Sequence, residues 1–191
     1  MSGRCKVPVA VVAGTIVGVG GSQVAFAYEL FDGCHYVTPT LKWKPALKSQ
    51  TYLDEAQATA WAWTSTSTPI SLTQASSGAN VTLASGNWGS TEHDGYMRMN
   101  DGGPWYCGAS GHWDQGTIAW LNTYYTDGYS STKKKSVWVH EVGHSLGLAH
   151  SGEGAACSVI PIMAPETSDR YGRCSKSTPQ TDDVNGINFL Y

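Results

Sequence analysis

The stretch HEVGHSLGLAH, residues His140 to His150, holds three of the chain's six histidines. His140 and His144 are four apart, so on a helix they lie one turn apart on one face, placed to share a metal ion. His150 follows ten residues after His140. In an unbroken helix those two would stand roughly 15 Å apart along the axis. Zinc holds its imidazole nitrogens at about 2.0–2.1 Å. The chain must therefore turn back before His150. Gly147 permits the turn, because glycine enters the left-handed conformation that ends helices without a Cβ penalty. Glu141 sits roughly 100° around the helix from His140 and can face the site without ligating. Three neutral ligands leave a zinc ion its full charge and a fourth position for water. Zinc brings the pKa of that water toward neutrality, and a nearby carboxylate can take its proton. The spacing is that of a hydrolytic centre. A lone HExxH occurs by chance, whereas three histidines, a glutamate and a helix-ending glycine in register are far more specific.

The pattern His140-Glu141-x-x-His144-x-x-Gly147-x-x-His150 resembles the zinc signature of the metzincin metallopeptidases. Those proteins carry a methionine turn beneath the zinc, and SVIPIMAP (158–165) supplies Met163 here. The residue after the third histidine is Ser151, as in matrixins. The tail TPQTDDVNGINFLY (178–191) is similar to the terminal helix of matrixins, with its Asp182-Asp183 pair. From about Leu41 to Trp88 the chain also follows their order of strand, Trp-containing helix, strand, strand.

The resemblance implies an α+β, metzincin/zincin-like fold. Its parts would be a twisted, mostly parallel sheet with an antiparallel edge strand, an active-site helix, a Met-turn and a C-terminal helix. It implies that GYMRMN (95–100) is the edge strand lining the cleft, where free backbone groups can pair with an extended peptide. It gives Met163 a packing role below the zinc, and Asp182 and Asp183 a supporting role beneath the methionine turn, near the mature N-terminus. It also raises Glu92, Asp94 and Asp101 as calcium (Ca2+) ligands, with an ordinary polar loop as the alternative. The second, structural zinc of animal matrixins is not carried over. His93 and His112 lie in the region, but GYMRMN and TIAWLNTYY contain no histidine. Nor is latency by a cysteine switch expected, since WYCGAS (105–110) lacks the flanking residues of that motif.

A length of 191 residues suits one domain. Residues 1–27 read as a secretory signal peptide: Arg4 and Lys6, the apolar run VPVAVVAGTIVGVG (7–20), then the small-x-small site Ala25-Phe26-Ala27. The competing reading, a membrane anchor, is disfavoured by Pro8, by the glycines and by the shortness of the run. The expected mature protein begins near Tyr28, is secreted to the extracellular space, and forms a single catalytic domain over 28–191. No later stretch is apolar enough to span a bilayer. Without Arg4 and Lys6, ten basic residues face fifteen acidic ones, a net charge of −5. That argues against nucleic acid as a partner. Lys133–Lys135 reads as a solvated loop.

Cys5 leaves with the signal. Cys34, Cys107, Cys157 and Cys174 remain, an even number in a secreted chain, which reads as two disulfides with three possible pairings. Cys157 and Cys174 bracket Met163, so the local pairing is expected, leaving Cys34 with Cys107. No CxxC spacing favours zinc binding by these thiols.

Along the chain, LKWKP reads as a first strand. Thr51 is placed to cap a helix over TYLDEAQATAWAW, with Leu53, Ala56, Ala60 and Trp63 on its inner face and Asp54 and Glu55 favouring its N-terminus. PISLTQ and ANVTLAS alternate as strands do. The Gly- and Asp-rich stretch 87–115 is long for a structureless loop. TIAWLNTYY reads as a further strand. Ser136 is placed to cap the active helix over 137–146. Thr178-Pro179 reads as the start of a last helix with Val184, Ile187 and Tyr191 as its stripe.

The expected protein is a secreted, monomeric zinc endopeptidase acting on protein or peptide substrates, with Glu141 as general base. Two alternatives stand beside it. One is a secreted binding protein that keeps the zinc scaffold without the chemistry, its eight tryptophans offering stacking surfaces. The other is a hydrolase of a non-peptide amide.

Overall fold

The computed structural model describes residues 28–191; the expected signal peptide falls on residues 1–27 and lies outside the described residues. Five strands form one sheet: β1 (Thr40–Ala46), β2 (Ser71–Gln74), β3 (Val81–Gly86), β4 (Gly95–Met99) and β5 (Thr117–Asn122). Their order is β2-β1-β3-β5-β4. β1 runs parallel to both β2 and β3, and β3 parallel to β5; β4 alone is antiparallel, on the outer edge beside β5. β3 is buried along nearly its whole length, as a central parallel strand covered on both faces must be.

Helix α1 (Leu53–Thr64) lies against α3 (Ser131–Ser145). It is rich in alanine, the best helix former, and its Ala56, Ala60 and Trp63 are buried as the periodicity predicts. Its start differs from expectation. Thr51 does not cap it; a tight turn over Gln50–Tyr52 leads directly into the helix. The strand after the loop is also shorter than TIAWLNTYY suggests. It ends at Asn122, whose side chain accepts from Tyr124 N at 3.1 Å and starts the single turn α2 (Thr123–Thr126).

Three indoles pin α3 in place. Trp63 Nε1 donates to Val139 O (3.0 Å), Trp138 Nε1 to Ala119 O (3.2 Å) and Trp113 Nε1 to Ser145 O (2.8 Å). α3 begins earlier than the sequence suggests. Ser130, not Ser136, is the cap, its Oγ accepting from Lys133 N. Lys133–Lys135 therefore lie on the helix rather than in a loop. Lys133 Nζ sits 3.4 Å from the Tyr129 ring centroid and Lys134 Nζ 4.7 Å from that of Tyr52, cation–π contacts that favour the helical course. Ser136 is buried and donates to Lys176 O instead.

The chain then closes with the segment around Met163, one wide helical turn at Ser168–Arg173, and α4 (Thr181–Leu190). α4 starts three residues after Thr178, with a capping box in which Gln180 and Asp183 bond each other's backbone N–H groups. Disulfides join Cys34 to Cys107 and Cys157 to Cys174, with Cα–Cα separations of 5.5 and 5.0 Å. Among the described residues no helix is long and apolar enough to cross a membrane.

Candidate active site

α3 ends in a turn that builds the centre. Gly147 has φ +108°. Its N–H reaches His144 O at 3.0 Å, and Leu148 N–H reaches Gly143 O at 3.0 Å, the paired bonds of a Schellman ending. The turn reverses the chain and carries His150 back over the helix. It also brings Leu148 O to 2.8 Å from His144 Nδ1. His140 Nδ1 lies 2.9 Å from Ile162 O. A carbonyl only accepts, so each ring donates from Nδ1 and keeps a lone pair on Nε2.

Those lone pairs converge. His140 Nε2 stands 3.0 Å from His144 Nε2 and 3.2 Å from His150 Nε2. Among the described residues this triad is the only group of three or more metal-binding side chains whose ligand atoms gather this closely. Tetrahedral zinc ligands at about 2.0–2.1 Å from the ion stand roughly 3.4 Å apart, so the separations suit one ion. Burial drives the rings neutral. His140 is held well below the ordinary imidazole value, His144 is lowered to about 3, and His150 is lowered too. Converging lone pairs on neutral rings repel one another unless a cation sits among them, so the donor set itself fits zinc.

Glu141 is buried beside the triad. Burial pushes its carboxyl up to about 8, opposed by the Arg170 guanidinium and assisted by Asp94. Gly95, at the head of β4, makes room for it: a Cβ there would stand 2.6 Å from Glu141 Oε1. Met163 lies under α3, 1% exposed. Ile162 N and Met163 N both donate to Asp183, at 2.8 and 3.1 Å, while Ser151 Oγ reaches Asp182 Oδ2 at 3.3 Å. The acidic pair of α4 thus meets the Met163 turn directly. Burial raises the Asp183 carboxyl to about 7, against the backbone N–H groups that pull it down.

A cleft of about 510 Å³ runs past the triad. One wall comes from Pro165, Glu166, Thr167 and Arg170, the segment just after Met163. Arg170 is not among the residues that the sequence singles out. It is 1% exposed and holds this wall, donating to Ala164 O, Pro165 O and Thr167 Oγ1 at 3.0, 2.9 and 2.7 Å. Among the described residues, Glu92, Asp94 and Asp101 do not form a group of three whose carboxylate oxygens lie within 4.8 Å of one another. Asp94 accepts from Thr167 and Tyr129, and Asp101 from Gly103 N and Tyr106. His93 packs near Tyr96 and His112 against His35.

The three histidines could together hold one metal ion. The matrixin family profile matches residues 27–191, and the chain belongs to the matrixin peptidase family. It is 29% identical over 167 residues to macrophage metalloelastase of Oryctolagus cuniculus, an alignment covering 82% of this chain and 32% of that protein. The chain thus spans about a third of the length of this curated relative. Among solved structures it is similar to myroilysin, with 13% identity, a TM-score of 0.43, and coverage of 63% of this chain and 54% of that one.

Proposed function

We propose that this protein is a secreted zinc endopeptidase in which His140, His144 and His150 hold the metal and Glu141 is the general base. The carrying observation is the convergence of three Nε2 lone pairs, two of them fixed by carbonyls at Nδ1, beside a buried carboxyl. A bound zinc supplies Lewis acidity, polarising a peptide carbonyl and acidifying water. Glu141 receives the proton of the attacking water and passes it to the leaving amine, a role its buried position beside the triad allows. β4 offers its unpaired edge to an extended peptide, and the wall held by Arg170 receives a substrate side chain. Met163 packs beneath the histidines, and Asp182 and Asp183 hold that turn to α4. Secretion rests on the expected signal peptide and is supported by the two disulfides, which persist in oxidising compartments.

Chelator-sensitive cleavage of casein by the purified chain from Tyr28 tests this reading. Turnover of small amides with no cleavage of any protein or peptide would favour the non-peptide hydrolase.

A further inference from the structure

The cleft follows α3, and its two ends differ in kind. At the N-terminal end of the helix stand Tyr129, Lys133 and the Arg170 wall, with Tyr171 OH 3.3 Å from the cap Ser130. At the C-terminal end the lining is aromatic. The Phe31 ring lies 4.6 Å from that of Trp105 and 5.2 Å from the His144 imidazole, with Trp113 edge-on at 6.4 Å. Phe31 is fixed by its own N–H, which donates to Gly147 O at 3.1 Å. Trp105 belongs to the loop after β4, two residues from Cys107. The Cys34–Cys107 disulfide ties that loop to the segment carrying Phe31. Trp105 nonetheless remains 38% exposed while lining the cleft. A single exposed aromatic means little. This one packs at a tilt against a ring that abuts a histidine of the triad, and a covalent bond fastens the two chain segments that carry the pair.

The strand direction says which part of a peptide would arrive there. Gly95, at the start of β4, lies over Val137 and Glu141. β5 runs antiparallel to it, pairing Gly95 with Leu121 and Met99 with Thr117. The residues leading into β5 sit at the C-terminal end of α3, where Trp113 meets Ser145. β4 therefore advances toward that end. A peptide pairing antiparallel to β4, the more stable arrangement, brings its amino-terminal half to Phe31 and Trp105.

Resting on the peptidase reading above, we propose that Phe31 and Trp105 form a subsite for an aromatic substrate side chain on the amino-terminal side of the scissile bond. The Cys34–Cys107 disulfide holds its two halves in register. A flat ring entering there gains offset or edge-on stacking on a rigid indole, which with its buried area corresponds to roughly a tenfold gain in kcat/KM over alanine.

The test uses quenched fluorescent peptides that differ only in carrying Phe, Leu or Ala at each of the three residues before the scissile bond. Parent, Trp105→Ala, Trp105→Phe and Phe31→Leu proteins are compared, each with its circular dichroism and zinc content. The expected result is a roughly tenfold preference for Phe over Ala at one position, expressed mainly in KM. Trp105→Ala reduces that ratio to about twofold or less, and Trp105→Phe retains most of it. Equal use of Leu and Phe by the parent, or an unchanged ratio in Trp105→Ala, would overturn the aromatic subsite and leave the peptidase reading intact. A zinc-loaded parent that cuts no peptide would overturn both.

Discussion

Asp183 reaches His140 through a single intervening residue. Its carboxylate accepts from Ile162 N at 2.8 Å, and Ile162 O accepts from His140 Nδ1 at 2.9 Å. The last helix, the methionine turn and the metal centre are thereby joined by two hydrogen bonds. An outer partner of this kind fixes both the tautomer and the orientation of a metal-binding imidazole.

Asp183→Ala leaves the buried N–H groups of Ile162 and Met163 without acceptors. Each such orphan costs roughly 1–3 kcal/mol, and loss of an outer partner lowers metal affinity by about 10–100-fold. Chelator competition and urea unfolding measure the two effects. Unchanged zinc affinity would mean that the Ile162 carbonyl holds its place unaided.

Gly147→Ala forces a side chain into φ +108° and brings a Cβ to 2.5 Å from Cys34 O and 2.8 Å from Leu190 Cδ1. Backbone strain of this kind costs roughly 1–3 kcal/mol, before the collision with Cys34 O is counted. Because the same turn sets the Leu148 carbonyl against His144, zinc affinity should fall together with the thermal midpoint. A loss of stability alone would separate the turn from the metal centre.

Asp182 is half-buried, and burial raises its carboxyl from 3.8 to about 6, opposed by the Ser151 hydroxyl and the Tyr28 N–H. A raised acid binds its proton more tightly folded than unfolded. Its contribution to stability is therefore full below about pH 4 and is lost as pH rises through about 6. Asp182→Asn should remove that slope, so the parent's urea midpoint gains on the variant's as pH falls from 7 to 4.5. Parallel midpoints across that window would count against the assignment.

The histidine geometry is legible in the sequence because two constraints dictate it: the 3.6-residue period puts His140 over His144, and one glycine returns His150. β2 and β3 are legible from their alternation between turn residues, whereas the mostly parallel sheet and its antiparallel edge β4 follow from the matrixin resemblance. Other features depend on distant partners. Ser130 and Ser136 are equally good caps locally. The choice falls to Ser130 because Ser136 Oγ meets Lys176 O, and because Tyr129 and Tyr52 receive Lys133 and Lys134. TYY continues the β pattern of TIAWLN but turns helical once Asn122 caps it. Arg170 carries no local signal of its role, which lies in the carbonyls of Ala164 and Pro165 around its guanidinium. The Phe31–Trp105 contact joins residues 74 positions apart in the chain, which no local pattern announces.

The central claim is that Glu141 performs chemistry while the three histidines hold the metal. Zinc content and casein cleavage of the chain from Tyr28, beside its Glu141→Ala variant, test it most directly. One zinc per chain in both is expected, with chelator-sensitive cleavage in the parent and a loss of about 10²–10⁴-fold in the variant. Comparable cleavage by both proteins would contradict the role of Glu141. A folded parent that binds no zinc would contradict the whole account.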